Sequence, residues 1–190
     1  MAGQTTVLVT GCSAGGVGDA LAHEYHRQGF RVIATAMSLD KIQHLKAMGP
    51  ETVQLDVEDQ FSIRDAAVQV QRLIGPSLDI LVNNAGIGSS VSLVDTDVEH
   101  NNKIFNVNVV AVLAVTQAFT KQIVAAKETI VNVGSVGSIC PVPFQGLYVA
   151  SKAALLHPTA CLRIELAPFG VKVWPARPLD CSRQDLYVSP

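Results

Sequence analysis

Apolar and polar positions along the chain alternate between two periods. Short apolar runs of strand length fall at 5–10, 31–36, 52–55, 78–83, 129–135 and 171–174, rich in Val, Ile and Thr. Between them lie longer stretches whose apolar residues recur every three to four positions, predicting helices over 17–28, 39–48, 59–74, 97–126 and 148–167. Asp59 or Ser62 is placed to cap the third helix. Strands without a polar alternate are buried on both faces, and strand alternating with helix is the signature of βαβ units. The pattern therefore predicts an α/β fold, a doubly wound parallel sheet of Rossmann type with helices on both faces. Ligands of such a sheet bind beyond the carboxyl ends of its strands, which makes the residues just after each apolar run the candidates for chemistry.

The first such junction is the most telling. Thr5 to Thr10 runs into Gly11-Cys12-Ser13-Ala14-Gly15-Gly16-Val17-Gly18 and then into an amphipathic helix. Glycines allow a tight turn and close approach to a pyrophosphate, whose charge the free amides and dipole of the following helix stabilise. Further along, Tyr148-Val149-Ala150-Ser151-Lys152 places a phenol and an ammonium one helical turn apart, with Ser135 thirteen residues upstream. A phenol is a poor acid at neutral pH unless a nearby cation stabilises its phenolate. Taken alone, a Tyr and a Lys four apart on a helix are more often an amphipathic surface pair; the glycine loop at the other end of the chain changes that balance.

Four blocks in this order and spacing resemble the short-chain dehydrogenase/reductase family: Thr10-Gly11 to Gly16-Val17-Gly18, Asn83-Asn84-Ala85-Gly86, Asn106-Val107-Asn108-Val109, and Ser135 with Tyr148 and Lys152. Within the family, 7–22, 143–155 and 162–173 are most similar to fungal NADPH-dependent 1-acyldihydroxyacetone-phosphate reductases and related fungal reductases. The resemblance implies an oxidoreductase that reduces a ketone or aldehyde, or oxidises the alcohol, of a small lipophilic, acyl-lipid or secondary-metabolite substrate. It implies that Tyr148 exchanges the proton, Lys152 tunes Tyr148 and holds the cofactor ribose, Ser135 holds the substrate oxygen, and Asn108 holds a water. Cofactor contacts are implied for Gly11, Ser13, Gly16, Val17, Gly18, Asp56, Val57, Asn84, Ala85, Gly86, Tyr148 and Lys152. Asp56 is equally placed to cap a helix, and Asn108 to be a satisfied buried amide. Dimers or tetramers through the helices at 97–126 and 148–167 are implied by analogy.

Cofactor choice turns on the end of the second strand. An acid there would bond a ribose 2′-hydroxyl and repel a 2′-phosphate; Met37-Ser38 carries none, which favours NADP(H) over NAD(H). Support for the phosphate falls to Ser38, Lys41 or Ser13, although Lys41 reads equally as a solvated helix residue.

Composition narrows the rest. With 190 residues, 48% hydrophobic and 16% charged, one domain is expected over 1–174, folding without metal or disulfide. A net charge of −2 gives no reason to expect nucleic acid, and the four cysteines show neither CxxC pairing nor metal-ligand spacing. The N-terminus lacks a signal-type pattern and the apolar run at 109–115 is too short to span a bilayer, so a cytoplasmic protein acting on a small-molecule substrate, with no membrane span and no metal, is expected.

Four features depart from the family pattern. The glycine loop is one residue longer than the family's commonest form, Ala111 stands where glycine is usual, Pro158 falls inside the last helix, and 175–190 reads as an irregular tail in place of the family's proline-glycine turn, substrate helix and last strand. The alternative that follows is a catalytically silent dinucleotide-binding protein.

Overall fold

The computed structural model describes residues 3–176. Six parallel strands, β1 (Thr6–Val9), β2 (Arg31–Ala36), β3 (Glu51–Gln54), β4 (Ile80–Asn83), β5 (Thr129–Val133) and β6 (Lys172–Ala176), form one sheet in the order β3-β2-β1-β4-β5-β6. The order reverses between β1 and β4, so a crevice opens where the chain leaves these two strands. The helices are α1 (Val17–Arg27), α2 (Gln43–Met48), α3 (Gln60–Ile74), α4 (Val98–Phe105), α5 (Ala111–Ala126) and α6 (Gly146–Leu166).

The period of two along the strands divides the core between the two faces. Val7, Val9, Val32, Ala34, Val82 and Val131 pack against Ala22 of α1 and Leu45 of α2. Leu8, Ile33, Leu81 and Ile130 pack against Ile63 and Val70 of α3 and Val115, Phe119 and Ile123 of α5, with Leu166 at the end of α6. Doubly wound architecture over the described residues is thus as the pattern predicts; the expected tail from 177 onward lies outside them.

The structure alters several expected boundaries. The helix expected over 39–48 opens as a 3₁₀ turn, Leu39–Ile42, before α2. Of the two candidate caps of α3, Asp59 serves: its carboxylate accepts from the Phe61 amide at 2.9 Å, while Ser62 Oγ accepts from the Asp56 amide. The expected helix at 97–126 is divided by a π turn, Asn106–Val110, that widens the backbone around Asn108. In length and mean hydropathy (1.6 in its most apolar window) the segment Val98–Ala126 would suffice to cross a membrane, a property the shorter run at 109–115 does not reveal. Here it lays Val115, Phe119 and Ile123 into the core and buries the polar Asn108, Thr116 and Gln122.

β6 runs two residues past its expected end, through Pro175 and Ala176. Proline is tolerated because, among the described residues, β6 pairs with β5 alone, and residues of its parity turn their backbone groups away from β5. Gly134 donates to the Ala176 carbonyl at 2.7 Å on the paired side, whereas the outward Val173 carbonyl accepts from Arg163 Nε at 2.9 Å. The same guanidinium lies over the Trp174 ring, 5.6 Å from its centre.

Candidate active site

The glycine loop leaves β1 through Gly11, whose φ of +72° is open to glycine and costly to other residues. A Cβ there would fall 2.8 Å from Ala85 Cα, so the loop after β1 and the loop after β4 lie against each other. They are also bonded. Thr10 Oγ1 accepts from the Asn84 and Ala85 amides, both at 2.9 Å, and Asn84 Nδ2 donates to the carbonyls of Thr10 (2.8 Å) and Gly11 (3.1 Å). A methyl on Gly18 would collide with the Gly11 carbonyl and the Asn84 amide, which is why α1 meets the loop through a glycine.

Gly16 is the residue before α1 and supplies no side-chain cap, leaving the helix's first amides without a side-chain acceptor. Gly15 has φ +77°, and a Cβ there would meet nothing within 4 Å, so space lies open on the outer side of the loop. Thr10, Val57, Asn83, Ala85, Val107 and Ala111 line a small, largely apolar pocket at the β1–β4 crevice. Open amides at a helix N-terminus that follows a glycine turn suit a pyrophosphate, so these residues fit the phosphates of a dinucleotide.

At the carboxyl end of β5, Ser135 begins a 3₁₀ turn, Val136–Ser138, and its Oγ accepts from the Gly137 amide at 3.1 Å. That bond uses a lone pair and leaves the hydroxyl proton for another acceptor. The turn packs on α6, where a Cβ on Gly137 would strike Val149 Cγ1 at 2.6 Å. Tyr148 and Lys152 lie on the first two turns of α6, Tyr148 half-buried and Lys152 only 4% exposed. Lys152 Nζ donates to the Val133 carbonyl at 2.7 Å, and burial lowers its pKa from 10.5 to about 8.

Asn108 is fully buried and tied on three sides. Its Nδ2 donates to the Ile87 carbonyl and to Ser151 Oγ, and its Oδ1 accepts from the Ile87 amide, each at 2.9 Å. Ser151 in turn donates to the Tyr148 carbonyl at 2.7 Å. Gly86 lets these groups converge: a Cβ on it would lie 3.0 Å from Asn108 Oδ1 and 3.5 Å from Lys152 Nζ. The structure therefore gathers Asn84, Ala85, Gly86, Asn108 and Lys152, with Ser135 packed against the helix that carries Tyr148.

Other expected residues take local partners. Asn84 spends its amide nitrogen on the glycine loop, and Asp56 accepts from the Glu58 amide at 3.0 Å instead of capping α3. Ser38 and the exposed Lys41 sit in the 3₁₀ turn after β2, which touches the glycine loop through the Ala14 amide and the Lys41 carbonyl at 3.2 Å. Ser13 is half-buried in the loop and Val17, the first residue of α1, is half-buried beside it. Two contributors were not singled out from sequence: Thr10, whose only signal is its place beside Gly11, and Ser151, which lies unmarked between Tyr148 and Lys152.

The family model described as short chain dehydrogenase matches residues 5–182. The chain is 45% identical over 173 residues to the NADPH-dependent 1-acyldihydroxyacetone phosphate reductase of Schizosaccharomyces pombe, covering 91% of this chain and 58% of that protein. It is 45% identical over 169 residues to a short-chain dehydrogenase of Penicillium crustosum, covering 88% and 62%. The chain thus spans about three-fifths of the length of these relatives. Among solved structures, a short-chain dehydrogenase from Streptomyces avermitilis superposes with a TM-score of 0.89 at 30% identity, covering 100% of this chain and 70% of that one. A metagenomic short-chain oxidoreductase in complex with NADP gives 0.82 at 30% identity, covering 92% and 81%. By sequence and by fold, the chain belongs to the short-chain dehydrogenase family of oxidoreductases.

Proposed function

We propose that the chain is an NADP(H)-dependent oxidoreductase that interconverts a carbonyl and its alcohol on a small lipophilic molecule of acyl-lipid or secondary-metabolite type. The observation that carries this reading is the buried Lys152 ammonium beside Gly86 and Asn108, one helical turn from Tyr148. An ammonium so placed can hold a ribose hydroxyl with the donors that Val133 does not use.

The glycine loop and the first turn of α1 would hold the pyrophosphate. The bound cofactor supplies the hydride. The chain's own groups handle the proton and the geometry. Ser135 Oγ donates to the substrate oxygen, Tyr148 donates its phenolic proton as negative charge develops there, and Lys152 offsets the charge left on the phenolate. Asn108 acts as a strut: its side chain fixes Ile87 and, through Ser151, the first turn of α6, and one lone pair of Oδ1 is left for a water.

The preference for NADP(H) is supported by the absence of an acid at Met37 and Ser38 and by the contact of the Lys41 turn with the glycine loop. The fungal relative that is NADPH-dependent and the similar NADP complex point the same way. Fluorescence titration of the purified chain with NADPH and NADH, followed by a screen of ketones and aldehydes, tests the reading. Tighter NADPH binding with turnover is expected. Cofactor binding without reduction of any carbonyl would favour the silent dinucleotide-binding protein, and loss of discrimination in Lys41→Glu is expected if that lysine meets the 2′-phosphate.

A further inference from the structure

A second cluster of chemistry-bearing side chains lies on the flank of the glycine loop, outside the groups used above. Asp19 and His23 stand one turn apart on α1, and His44 reaches the same point from α2. His44 Nε2 lies 2.7 Å from Asp19 Oδ1 and His23 Nε2 3.4 Å from that same oxygen, and the three ligand atoms all fall within 4.8 Å of one another. The imidazole rings are stacked, with centres 6.0 Å apart and planes at 25°.

Two imidazole nitrogens converge on one carboxylate oxygen, so three potential ligand atoms from two helices already face a common point. Asp19 is pre-oriented as a ligand: its other oxygen, Oδ2, accepts from the Gly15 amide at 2.8 Å, which fixes the carboxylate plane from the side away from the rings. The side chains are 14% exposed for Asp19, 39% for His23 and 36% for His44, so the carboxylate is sheltered while the imidazole side stays open to an entering ion.

From this convergence we propose that Asp19 Oδ1, His23 Nε2 and His44 Nε2 form a binding site for one divalent transition-metal ion of the zinc class. Two nitrogens and one carboxylate oxygen suit a borderline-soft ion; calcium and magnesium prefer sets of oxygen ligands. Bonds of roughly 2.0–2.2 Å in a tetrahedral arrangement put neighbouring ligand atoms about 3.4 Å apart. The Asp19–His23 separation already matches. The other two separations require the His44 ring to back away from Asp19 and tilt toward His23, a movement open to half-exposed side chains. A proton shared between His44 and Asp19 gives way to the ion, and water completes the fourth position.

The test is calorimetric titration of the chelator-stripped full chain with zinc chloride, alongside His23→Gln and His44→Gln, each checked for native circular dichroism. One equivalent is expected to bind to the unsubstituted chain, with affinity at least about tenfold weaker in either variant. Thermal melting gives an independent readout: zinc should raise Tm in the unsubstituted chain and lose that effect in the variants. Absence of stoichiometric binding would overturn the proposal. So would equal binding by folded variants, which would place the ion on other histidines or on thiols such as those of the exposed Cys140 and Cys161.

Discussion

Tyr148 and Lys152 are four residues apart, yet the structure gives them different surroundings. Tyr148 is half-buried near the start of α6, whereas Lys152 is enclosed and bonded to β5 through the Val133 carbonyl. If Tyr148 is the proton donor, Tyr148→Phe removes the proton while keeping the ring, and the turnover number should fall at least about a hundredfold with NADPH affinity preserved. Steady-state kinetics with a fluorescence titration on the same preparation check both halves. Cys12 offers a contrast within the glycine loop. Its thiol is fully buried, donates to the Val9 carbonyl at 3.2 Å, and is pushed up from 9.0 to about 12, chiefly by burial. A disulfide reagent should modify the exposed Cys140 and Cys161 in the native chain at pH 8 and reach Cys12 only after unfolding, as mass mapping of the labelled peptides would show. At this scale the sequence was informative wherever one residue type has one job, as for Gly11, Gly18 and Lys152. It was silent where the partner is backbone or distant in sequence: nothing near Ser151 announces that it joins Asn108 to Tyr148, and His44 is 21 residues from His23 along the chain.

Helices and loops show which physical term sets each boundary. The second residue of α1 is a glycine because backbone at the crevice leaves no room for a side chain, so Gly18→Ala should force the loop and Asn84 apart at a cost of about 1–3 kcal/mol in urea unfolding. α3 begins where Asp59 satisfies an end amide, and Asp59→Ala should cost about 1 kcal/mol in the same assay, without altering cofactor affinity. Strand positions follow from apolar runs because burial on both faces leaves little else to compete. The π turn at Asn106–Val110 could not be read that way: apolar spacing through 97–126 fits a single helix, and the widening appears only once Asn108 meets Ile87 and Ser151 across the molecule. Pro158 is similar. It sits within the 21 residues of α6, and Thr159 beside it both donates to the Leu155 carbonyl at 2.7 Å and accepts from Asn132 of β5 at 3.0 Å.

Across the whole molecule, the β1–β4 crevice that serves binding also places a charge where folding would not choose one. Lys152 is the buried cation among the described residues, and its pKa of about 8 lies below the unfolded value of 10.5. A depressed lysine weakens the folded state fully below the folded value, and the penalty is relieved as pH rises toward the unfolded one, since the unfolded chain then binds more protons. Cys12 acts in the opposite sense: its raised value leaves stability intact below pH 9 and removes it between 9 and about 12 as the unfolded thiol ionises. The window between pH 8 and 9 therefore belongs mainly to Lys152. Unfolding free energy of the cofactor-free chain should climb by about 1 kcal/mol across it, and the climb should vanish in Lys152→Met, which keeps the volume and removes the charge. Urea denaturation at constant ionic strength distinguishes the cases. A variant that is more stable than the unsubstituted chain at pH 7, by a margin that narrows through pH 9 and closes only toward 10.5, would show that Lys152 is held charged at a cost in stability, as a residue kept for chemistry would be; an unchanged pH slope would mean that the ammonium is better solvated than its burial indicates.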